Sequence, residues 1–444
     1  MSAAVDHRFL IEPEGAGTTA LKGRLRVPGD KSISHRSIML GAIAEGETEI
    51  SGFLEGADAL ATLAAFRDMG VQIQGPVRGE VRVRGVGLHG LQTPEFPLDM
   101  GNSGTSMRLL AGLLAGQSFP VTLIGDDSLS RRPMRRVTEP LVLMGAHIGT
   151  SAQGTAPLAL EPADGLRGID YAMSVASAQV KSSLLLAGLY AEGETCVTEP
   201  APTRDHTERM LSAFGYPVRR TGNRVCLAGG GRLQGCRIQI PADISSAAFF
   251  LVGASIAPGS DLTLQGVGIN PTRVGVINIL ESMGADIELM NRRTAGGEPV
   301  ADLRVRGADL KGIVIPVDQV PLAIDEFPAL FIAAACAAGE TLLRGAEELR
   351  VKESDRIQVM ADGLRVLGVR VEPLVDGIRI QGGAMGPGTV EAHGDHRIAM
   401  AFAIAGLRAA GPVEVRDCAN VETSFPGFAS LAAGVGLPIR ELRS

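Results

Sequence analysis

Two patterns of apolar and polar residues alternate along the 444-residue chain. In the first, an amphipathic stretch such as ALATLAAFRDMG ends in an apolar residue and a glycine, and a short β-branched run follows. A helix that is closed by a glycine cap and followed by a strand has this pattern. The pattern occurs six times, with its glycines at Gly70, Gly145, Gly215, Gly284, Gly368 and Gly436.

The second pattern is an Ala- and Leu-rich run that ends in glycine and leads into another β-branched stretch. Its glycines are Gly46, Gly116, Gly193, Gly259, Gly339 and Gly411. Each occurrence precedes one occurrence of the first pattern, so the chain divides into six units of roughly 70 residues. Each unit is predicted as helix, strand, helix and strand with extra strands. Six paired occurrences in register argue against coincidence.

The two halves of the chain also resemble each other. VPGDKSIS at 27–34 is similar to IPADISSA at 240–247, three units further on. We therefore expect an α/β (α+β) protein of two three-unit domains, one formed by 28–240 and the other by 1–27 with 241–444. The N-terminal stretch is expected to add a strand to the second domain. The cleft between domains is the usual place for a ligand.

Composition excludes several classes of partner. The formal net charge is -7 and aromatic residues make up only 4%, with no Trp, which argues against binding to nucleic acid or to an anionic membrane. The Ala-rich runs are too short to span a membrane, and the first 15 residues lack the apolar core of a signal peptide. The five cysteines show no CxxC spacing and are expected to be buried thiols in a reducing cytoplasm.

The first helix of each unit begins with polar residues, in the stretches DKSISHRS, GNSGTSMR, SAQVKSS, DISSAAF, DEFPA and DHRIAM. Helix N-termini carry unpaired N–H groups and a partial positive charge, so they bind phosphates and carboxylates. Simple N-capping by Ser, Asp and Asn is the alternative. We prefer capping for DISSAAF and anion binding for the stretches that contain Lys or Arg.

Charged residues cluster in four stretches of the chain, two of which are among these helix starts. Lys31, His35 and Arg36 follow a Pro-Gly turn, and SLSRRPMRRV holds four arginines, of which Arg132 is expected to point inward because Pro133 restricts its backbone. A solvated surface is the alternative for that run. LRVKESDR interleaves cations with carboxylates, and Asp325 lies in an apolar stretch where a buried carboxylate suits acid–base chemistry. Capping explains Asp325 nearly as well. A metal site is not expected.

Together, PGDKSISHR, GNSGTSMR, RRPM, SAQVKS, TRDHTE, IDEFP, RVKESDR and DHRIAM resemble the 5-enolpyruvylshikimate-3-phosphate (EPSP) synthase family. The resemblance runs from about Leu21 to Phe428. It implies two domains, each of three βαβαββ units around a pseudo-threefold axis, with the active site in the cleft between them. It also implies transfer of the enolpyruvyl group of phosphoenolpyruvate to the 5-hydroxyl of shikimate 3-phosphate with release of phosphate, on the route to chorismate and aromatic amino acids.

The resemblance also implies residue roles. The residues expected to bind shikimate 3-phosphate are Lys31, Ser32, Arg36, Ser177, Ala178, Gln179, Arg204, Asp325 and Lys352. The residues expected to bind phosphoenolpyruvate are Lys31, Asn102, Gly104, Arg132, Gln179, Arg356 and Arg397. Asp325 is expected to be the base at the hydroxyl, and Glu353 and Lys31 to move protons at C3 and at the leaving phosphate. No cofactor or metal is implied, and we expect a cytoplasmic monomer. His35 and His396 are interpreted as structural.

Three positions distinguish this chain within the family. Thr423 stands where many members have a Lys, and together with RPM and TRDHTE it resembles a second subclass. Ala178 replaces a second Ser, so any contact there is left to the backbone. Gly104 leaves room for glyphosate, a mimic of phosphoenolpyruvate, whereas an Ala methyl there would crowd that inhibitor.

Two other functions were weighed against this interpretation. The enolpyruvyl transferase that acts on UDP-N-acetylglucosamine usually has Lys-Asn near its start and a Cys in its first domain, but this chain has Lys31-Ser32 and its first cysteine is Cys196. A non-catalytic anion-binding scaffold would not need Asp325 and Glu353 beside the cations.

Overall fold

The computed structural model describes residues 7–13 and 19–443. Residues 1–6, on which the expected absence of a signal peptide partly rests, lie outside the described residues. The chain forms two compact units. The first unit is Gly29–Pro241 with Thr294–Glu298, and the second is Met1–Pro28, Ala242–Arg293 and Pro299–Ser444.

Two strands precede the first unit along the chain, namely β1 (His7–Ile11) and β2 (Lys22–Leu25). The first unit contains six helices, α1 (Lys31–Ile43), α2 (Ala57–Asp68), α3 (Gly104–Leu114), α4 (Arg135–Leu143), α5 (Ala178–Gly188) and α6 (His206–Ala213). Its strands are β3 (Glu45–Ser51), β4 (Gln72–Val77), β5 (Glu80–Val86), β6 (Leu98–Asp99), β7 (Val121–Ile124), β8 (His147–Gly149), β9 (Leu158–Glu161), β10 (Asp170–Ala172), β11 (Glu194–Thr198), β12 (Arg219–Thr221), β13 (Arg224–Ala228) and β14 (Arg237–Gln239).

Three small mixed sheets of the first unit share one strand order. The sheets are β14-β3-β5-β4, β6-β7-β9-β8 and β10-β11-β13-β12. In each, the second strand pairs parallel with the edge strand and antiparallel with the third. The edge strand always comes from the preceding repeat, and β14, the last strand of the unit, supplies the edge of the first sheet. The three repeats therefore close into a cycle.

The described part of the second unit contains eight helices, α7 (Ile244–Ile256), α8 (Gly275–Ser282), α9 (Val320–Ala323), α10 (Phe327–Cys336), α11 (Arg356–Val366), α12 (His396–Ala405), α13 (Val421–Ser424) and α14 (Phe428–Gly434). Its later strands are β15 (Asp261–Gly268), β16 (Asp286–Ala295), β17 (Glu298–Arg306), β18 (Glu340–Leu343), β19 (Arg370–Leu374), β20 (Gly377–Gln381), β21 (Gly388–Glu391), β22 (Val413–Arg416) and β23 (Ile439–Arg443).

Two of the three sheets of the second unit have the same four-strand order, with help from the N-terminal strands, and the remaining sheet has three strands. The sheets are β16-β17-β15-β2, β18-β20-β19 and β21-β22-β1-β23. Strand β1 lies antiparallel to both β22 and β23, and β2 lies parallel to β15. The N-terminal stretch, which was expected to add one strand, thus supplies two strands to the sheets of this unit. These two strands complete the sixth repeat and close the second cycle.

The six glycines of the first sequence pattern cap helices as predicted. Each stands two residues after the end of α2, α4, α6, α8, α11 or α14 and has a positive φ, between 79° and 110°. Glycine adopts this left-handed conformation without the steric cost of a Cβ. A strand follows every one of them, so all six predicted helix–strand pairs are present.

Three apolar helices form the centre of each unit, α1, α3 and α5 in the first and α7, α10 and α12 in the second. In α1, α3, α5 and α12, the residues that are not buried are Lys31 and Ser32, Thr105, Ala178 and Gln179, and Arg397, all in the first or second helical position. Helix α7 is buried throughout, and α10 is buried except at its last residue, Cys336. A helix that is apolar on all sides needs partners on all sides, and here the sister helices and the sheets supply them. Four of the six core helices are therefore open at their N-terminal ends.

One expectation about the cysteines is wrong. Cys196 and Cys226 form a disulfide, because they face each other directly on the antiparallel strands β11 and β13. Cys236, Cys336 and Cys418 are free. Among the residues that the structure describes, no helix combines the length and apolar character needed to cross a membrane.

The position of β1 at the centre of a sheet predicts a strong effect of one substitution. Phe9 is 1% exposed and its ring centroid lies 5.9 Å from that of Phe428. Phe9→Ala is expected to lower the free energy of unfolding by about 3–5 kcal/mol, the usual cost of such a cavity. Leu10→Ala, on the half-exposed face of the same strand, should cost about 1 kcal/mol. Urea unfolding followed by circular dichroism measures both, and equal losses would contradict this placement of β1.

Candidate active site

Helix α1 opens the first cluster of predicted ligands. The Asp30 carboxylate accepts a hydrogen bond from the Ile33 N–H at 2.9 Å and so caps the helix. Lys31, the first helical residue, is 26% exposed and its ammonium forms an ion pair with Asp58. The turn therefore presents a cation at the positive end of a helix.

Arg36 joins three helices. Its Nε donates to Thr207 Oγ1 at 2.7 Å, one terminal nitrogen donates to Ser182 Oγ at 2.8 Å, and the other donates to the Ser32 carbonyl at 2.9 Å. Burial, together with the positive charge of Arg204, lowers its pKa to about 10, against the opposing effect of the Glu208 carboxylate. Arg36 stays charged at neutral pH, and Arg204 lies near enough to act on it.

His35 is neutral and structural in this environment. Burial lowers its pKa to about 3, and its Nδ1 lies 2.8 Å from Thr62 Oγ1. Thr62 Oγ1 is 2.7 Å from Ser106 Oγ, which in turn donates to Ser103 Oγ. Ser103 caps helix α3. These hydrogen-bonded side chains connect α1 and α2 to the start of α3. Because His35 is neutral, Lys31 and Arg36 are the cations of DKSISHR.

Asn102 and Arg132 meet beside Gly104. Arg132 donates to the side-chain oxygen of Asn102 and, at 3.3 Å, to its carbonyl. A Cβ on Gly104 would lie 2.9 Å from a terminal nitrogen of Arg108 and 3.4 Å from one of Arg132. Of the arginines in SLSRRPMRRV, Arg131 and Arg135 are exposed, whereas Arg132, which was predicted to point inward, is half-buried and donates to Asn102.

Gln179 connects the starts of α5 and α3. Its side-chain oxygen accepts from Arg108 at 2.9 Å, and its side-chain nitrogen donates to Thr105 Oγ1 at 3.1 Å. Ser177 caps α5 by accepting from the Val180 N–H at 3.4 Å, and Ala178 begins that helix. Arg108 was missed by the sequence analysis, although its position one turn after Gly104 offered a signal.

The second cluster lies in the second unit around Asp325. One of its carboxylate oxygens is 3.5 Å from Lys352 Nζ and 3.6 Å from Arg356. Its backbone carbonyl accepts from Arg397 at 2.8 Å. Three predicted cations thus surround the predicted base, and Arg397 belongs to the open first turn of α12.

Arg356 is the most deeply buried of these cations. It is 1% exposed and donates to Asp395 at 2.8 Å and to Glu353 at 2.6 Å. Burial opposes its charge, but the carboxylates of Asp395, Glu353 and Asp325 outweigh burial and raise its pKa. Asp395 also caps α12 by accepting from the Arg397 N–H. The ion pair between Asp395 and Arg356 was not predicted from the sequence, because capping alone accounts for an Asp at the start of a helix.

The structure therefore brings the predicted ligands together in two groups. The first unit holds Lys31, Ser32, Arg36, Asn102, Gly104, Arg132, Ser177, Ala178, Gln179 and Arg204. The second unit holds Asp325, Lys352, Glu353, Arg356 and Arg397. Asp243 caps α7 through two N–H groups, which confirms the capping interpretation of DISSAAF. Thr423 donates to the Asn420 carbonyl at 2.7 Å, a bond within its own short helix.

One group of potential metal ligands occurs within 7–13 and 19–443, namely Glu194, Cys196 and Cys226. Its two sulfurs are joined in the disulfide, and Glu194 is held by Arg219 at 2.9 Å. Neither thiolate is available to a metal in this state.

The fold is that of an enolpyruvyl transferase. The structure superposes on the enolpyruvyl transferase NikO from Streptomyces tendae with a TM-score of 0.80 over 99% of this chain and 100% of that chain, at 16% identity. It superposes more closely on EPSP synthase from Acinetobacter baumannii, with a TM-score of 0.89 and 59% identity over 98% of this chain and 100% of that chain. The predicted fold class, α/β with repeated βαβαββ-like units, is confirmed.

Sequence comparison resolves the family. A model described as EPSP synthase (3-phosphoshikimate 1-carboxyvinyltransferase) matches residues 16–431. The 3-phosphoshikimate 1-carboxyvinyltransferase of Alkalilimnicola ehrlichii is 70% identical over 432 residues, 97% of this chain and 96% of that protein. That of Methylococcus capsulatus is 68% identical over 419 residues, 94% of this chain and 96% of that protein. The chain belongs to the EPSP synthase family, and the predicted function, that of a 3-phosphoshikimate 1-carboxyvinyltransferase in the shikimate pathway, is confirmed.

The low pKa of His35 predicts part of the pH dependence of stability. Because the unfolded imidazole titrates near 6.5 and the folded one near 3, the unfolded state binds the extra proton below pH 6.5 and stability falls. His35 should therefore account for a loss of about 1.4 kcal/mol between pH 7.5 and pH 5.5. Urea unfolding of His35→Asn at the two pH values should show a loss of stability that is smaller by about 1.4 kcal/mol. His89→Asn, at an exposed histidine, should lose as much stability between these pH values as the unmodified protein does. If His35→Asn also loses as much as the unmodified protein, His35 is not the source of this pH dependence.

Proposed function

We propose that this protein transfers the enolpyruvyl group of phosphoenolpyruvate to the 5-hydroxyl of shikimate 3-phosphate and releases phosphate, with Asp325 as the base at that hydroxyl. The observation that carries the proposal is the position of the Asp325 carboxylate, 3.5 Å from Lys352 and 3.6 Å from Arg356. A carboxylate beside two cations suits a proton acceptor that works next to anionic substrates.

Shikimate 3-phosphate carries a phosphate and a carboxylate, and its proposed ligands supply matching groups. Lys31, Arg36, Arg204 and Lys352 supply positive charge. Ser32 lies in the open first turn of α1, and Ala178 and Gln179 lie in that of α5, after its cap Ser177. The unpaired N–H groups of these first turns favour anions. Asp325 completes the set by accepting from the hydroxyl that reacts.

Phosphoenolpyruvate is proposed to bind to Lys31, Asn102, Gly104, Arg132 and Gln179 of the first unit and to Arg356 and Arg397 of the second. Gly104 allows the ligand to approach the start of α3 closely, because no side chain intervenes there. The contact between Arg108 and Gln179 adds one cation to the surroundings of this glycine.

The proposed reaction passes through two proton transfers in opposite directions. Asp325 takes the proton of the 5-hydroxyl while the hydroxyl oxygen attacks C2 and the C3 carbon of the enol gains a proton. Phosphate leaves the resulting tetrahedral ketal as C3 loses a proton again. Glu353 and Lys31 are the proposed partners at C3 and at the leaving phosphate, and the arginines stabilise the charge that develops on the transferred group.

The finer features of the protein are also proposals. Thr423 in place of Lys, with RPM and TRDHTE, supports membership of the second subclass of the family. We further propose that the protein acts as a monomer in the cytoplasm and needs neither a cofactor nor a metal.

Phosphate release from phosphoenolpyruvate by the purified protein tests the reaction. Release that depends on shikimate 3-phosphate and continues in the presence of a chelator is the expected result. Release with UDP-N-acetylglucosamine as the only acceptor would point to the other enolpyruvyl transfer. Binding of both substrates without turnover would contradict the proposal and favour an anion-binding scaffold.

Asp325→Asn should separate chemistry from binding. The amide cannot accept the hydroxyl proton, so kcat is expected to fall at least about 100-fold. Calorimetric titration should show the dissociation constant of shikimate 3-phosphate within about threefold of the original, since the cations remain. Asp318→Asn, at an exposed carboxylate on the preceding turn, is the matched control and should leave kcat unchanged. A kcat for Asp325→Asn within tenfold of the original would remove Asp325 from the role of base.

Gly104→Ala should act on phosphoenolpyruvate selectively. The added methyl would lie 2.9 Å from Arg108, which must move although Gln179 and the Pro133 carbonyl hold it. We expect the KM for phosphoenolpyruvate to rise about tenfold, or about 1.4 kcal/mol, and the KM for shikimate 3-phosphate to stay within twofold. The unmodified protein should be inhibited by glyphosate, and the variant less so.

Gly434→Ala is the control for that substitution, because a Cβ there meets nothing within 4 Å. It should leave both KM values unchanged. Equal increases in the two KM values of Gly104→Ala would contradict a site for phosphoenolpyruvate at this glycine.

A further inference from the structure

Lys181 is a buried cation for which the proposed reaction has no use. It lies on α5, two residues after Gln179, and its side chain is fully buried. Its ammonium is 2.7 Å from a carboxylate oxygen of Glu199 and 2.7 Å from one of Glu208. It also donates to the Thr203 carbonyl at 3.5 Å. One ammonium thus contacts three points of the chain outside its own helix.

These three points enclose one segment, residues 199–205, which connects β11 to α6. Glu199 is its first residue, Thr203 lies within it, and Glu208 is in the first turn of α6. Glu199 further accepts hydrogen bonds from the Thr203 hydroxyl and, at 3.4 Å, from Arg220. Arg204, the proposed ligand of shikimate 3-phosphate, follows Thr203 directly.

The charges show why this arrangement is specific. A buried ion pair contributes little net stability compared with well-packed apolar residues, but removal of one partner leaves an uncompensated charge. Here the buried carboxylates of Glu199 and Glu208 are neutralised by the Lys181 ammonium and by Arg220, which is one-third exposed. The network also reaches Arg36, since the Glu208 carboxylate opposes the effect of burial on the Arg36 pKa. Lys181 is therefore connected to Arg36 through Glu208, and to Arg204 through the neighbouring residue Thr203.

We propose that Lys181 is a positioning residue that ties the 199–205 segment to helix α5 and so holds Arg204 in place for shikimate 3-phosphate. This inference rests on the proposed function, because it needs Arg204 as a ligand of that substrate. Lys181 itself does not contact the substrate. Its loss should affect shikimate 3-phosphate and leave phosphoenolpyruvate nearly untouched, because none of the proposed ligands of phosphoenolpyruvate belongs to the 199–205 segment.

Lys181→Met tests the proposal, since Met keeps the length of the side chain and removes the charge. Calorimetric titration is expected to show that the dissociation constant for shikimate 3-phosphate increases at least tenfold. The KM for shikimate 3-phosphate should rise by a similar factor, and the KM for phosphoenolpyruvate should stay within twofold. Hydrogen–deuterium exchange of the amides of 199–205 should accelerate at least tenfold. Unchanged affinity for shikimate 3-phosphate in the folded variant would overturn the proposal.

Leu184→Ala is the matched control for a general loss of stability. Leu184 is fully buried on the same helix, one turn further on. It should destabilise the protein without the selective change in affinity for shikimate 3-phosphate. If it weakens that affinity as much as Lys181→Met does, Lys181 has only a structural role and the proposal fails.

A second variant covers the case in which Lys181→Met does not fold. Lys181→Met with Glu199→Gln removes one cation and one anion, so the buried charge is less unbalanced. Its affinity for shikimate 3-phosphate should still fall at least tenfold, because the tie to the Thr203 carbonyl and to Glu208 is lost. Affinity within twofold of the original would overturn the proposal.

The same measurements distinguish this inference from the proposed function. If the unmodified protein does not bind shikimate 3-phosphate or release phosphate in its presence, the proposed function fails and the role of Lys181 fails with it. If the unmodified protein is active and the Lys181 variants keep their affinity, only the positioning role is wrong.

Discussion

The burial of three apolar helices at the centre of each unit is the constraint on which the rest of the structure depends. In α1, α3, α5 and α12, the residues that are not buried all lie in the first two positions, so side chains of these helices reach the surface only at the N-terminal ends. Polar side chains further along, such as Arg36 and Lys181, need partners inside the protein. Lys31, Gln179 and Arg397 stand at the open N-terminal positions. Unpaired N–H groups, helix dipoles and cations therefore coincide for a structural reason, and an acidic protein gains places that attract anions.

The proposed ligands of the two units have different neighbours. Around Gly104 in the first unit, neutral side chains and cations are joined by hydrogen bonds such as those between Arg108, Gln179 and Thr105. Around Asp325 in the second unit, carboxylates and cations alternate, and Asp395 holds Arg356 while it also caps α12. This difference supports the proposal that the base is in the second unit.

Much of this was visible in the sequence because it is local. A glycine cap needs a left-handed residue at one position, so Gly70 and its five counterparts marked the helix ends correctly. The motifs identified the candidate ligands for the same reason. What the sequence left open depends on the packing of distant segments. The role of Arg108 arises only when α3 lies against α5, and Cys196 meets Cys226 only through a strand register set across 30 residues. Lys181 appeared as one more polar residue of SAQVKS, since its partners lie on a separate segment.

The cyclic closure of each unit has a consequence for connectivity. Strands β1 and β23 are antiparallel neighbours, and His7 pairs directly with Arg443. A short turn from Arg443 to His7 would make an ordinary hairpin, and the chain could then be opened at the junction of any two repeats. The fold specifies which strands lie side by side and hence the cyclic order of the repeats, but not which repeat is translated first. Circularly permuted relatives are thus compatible with the same architecture.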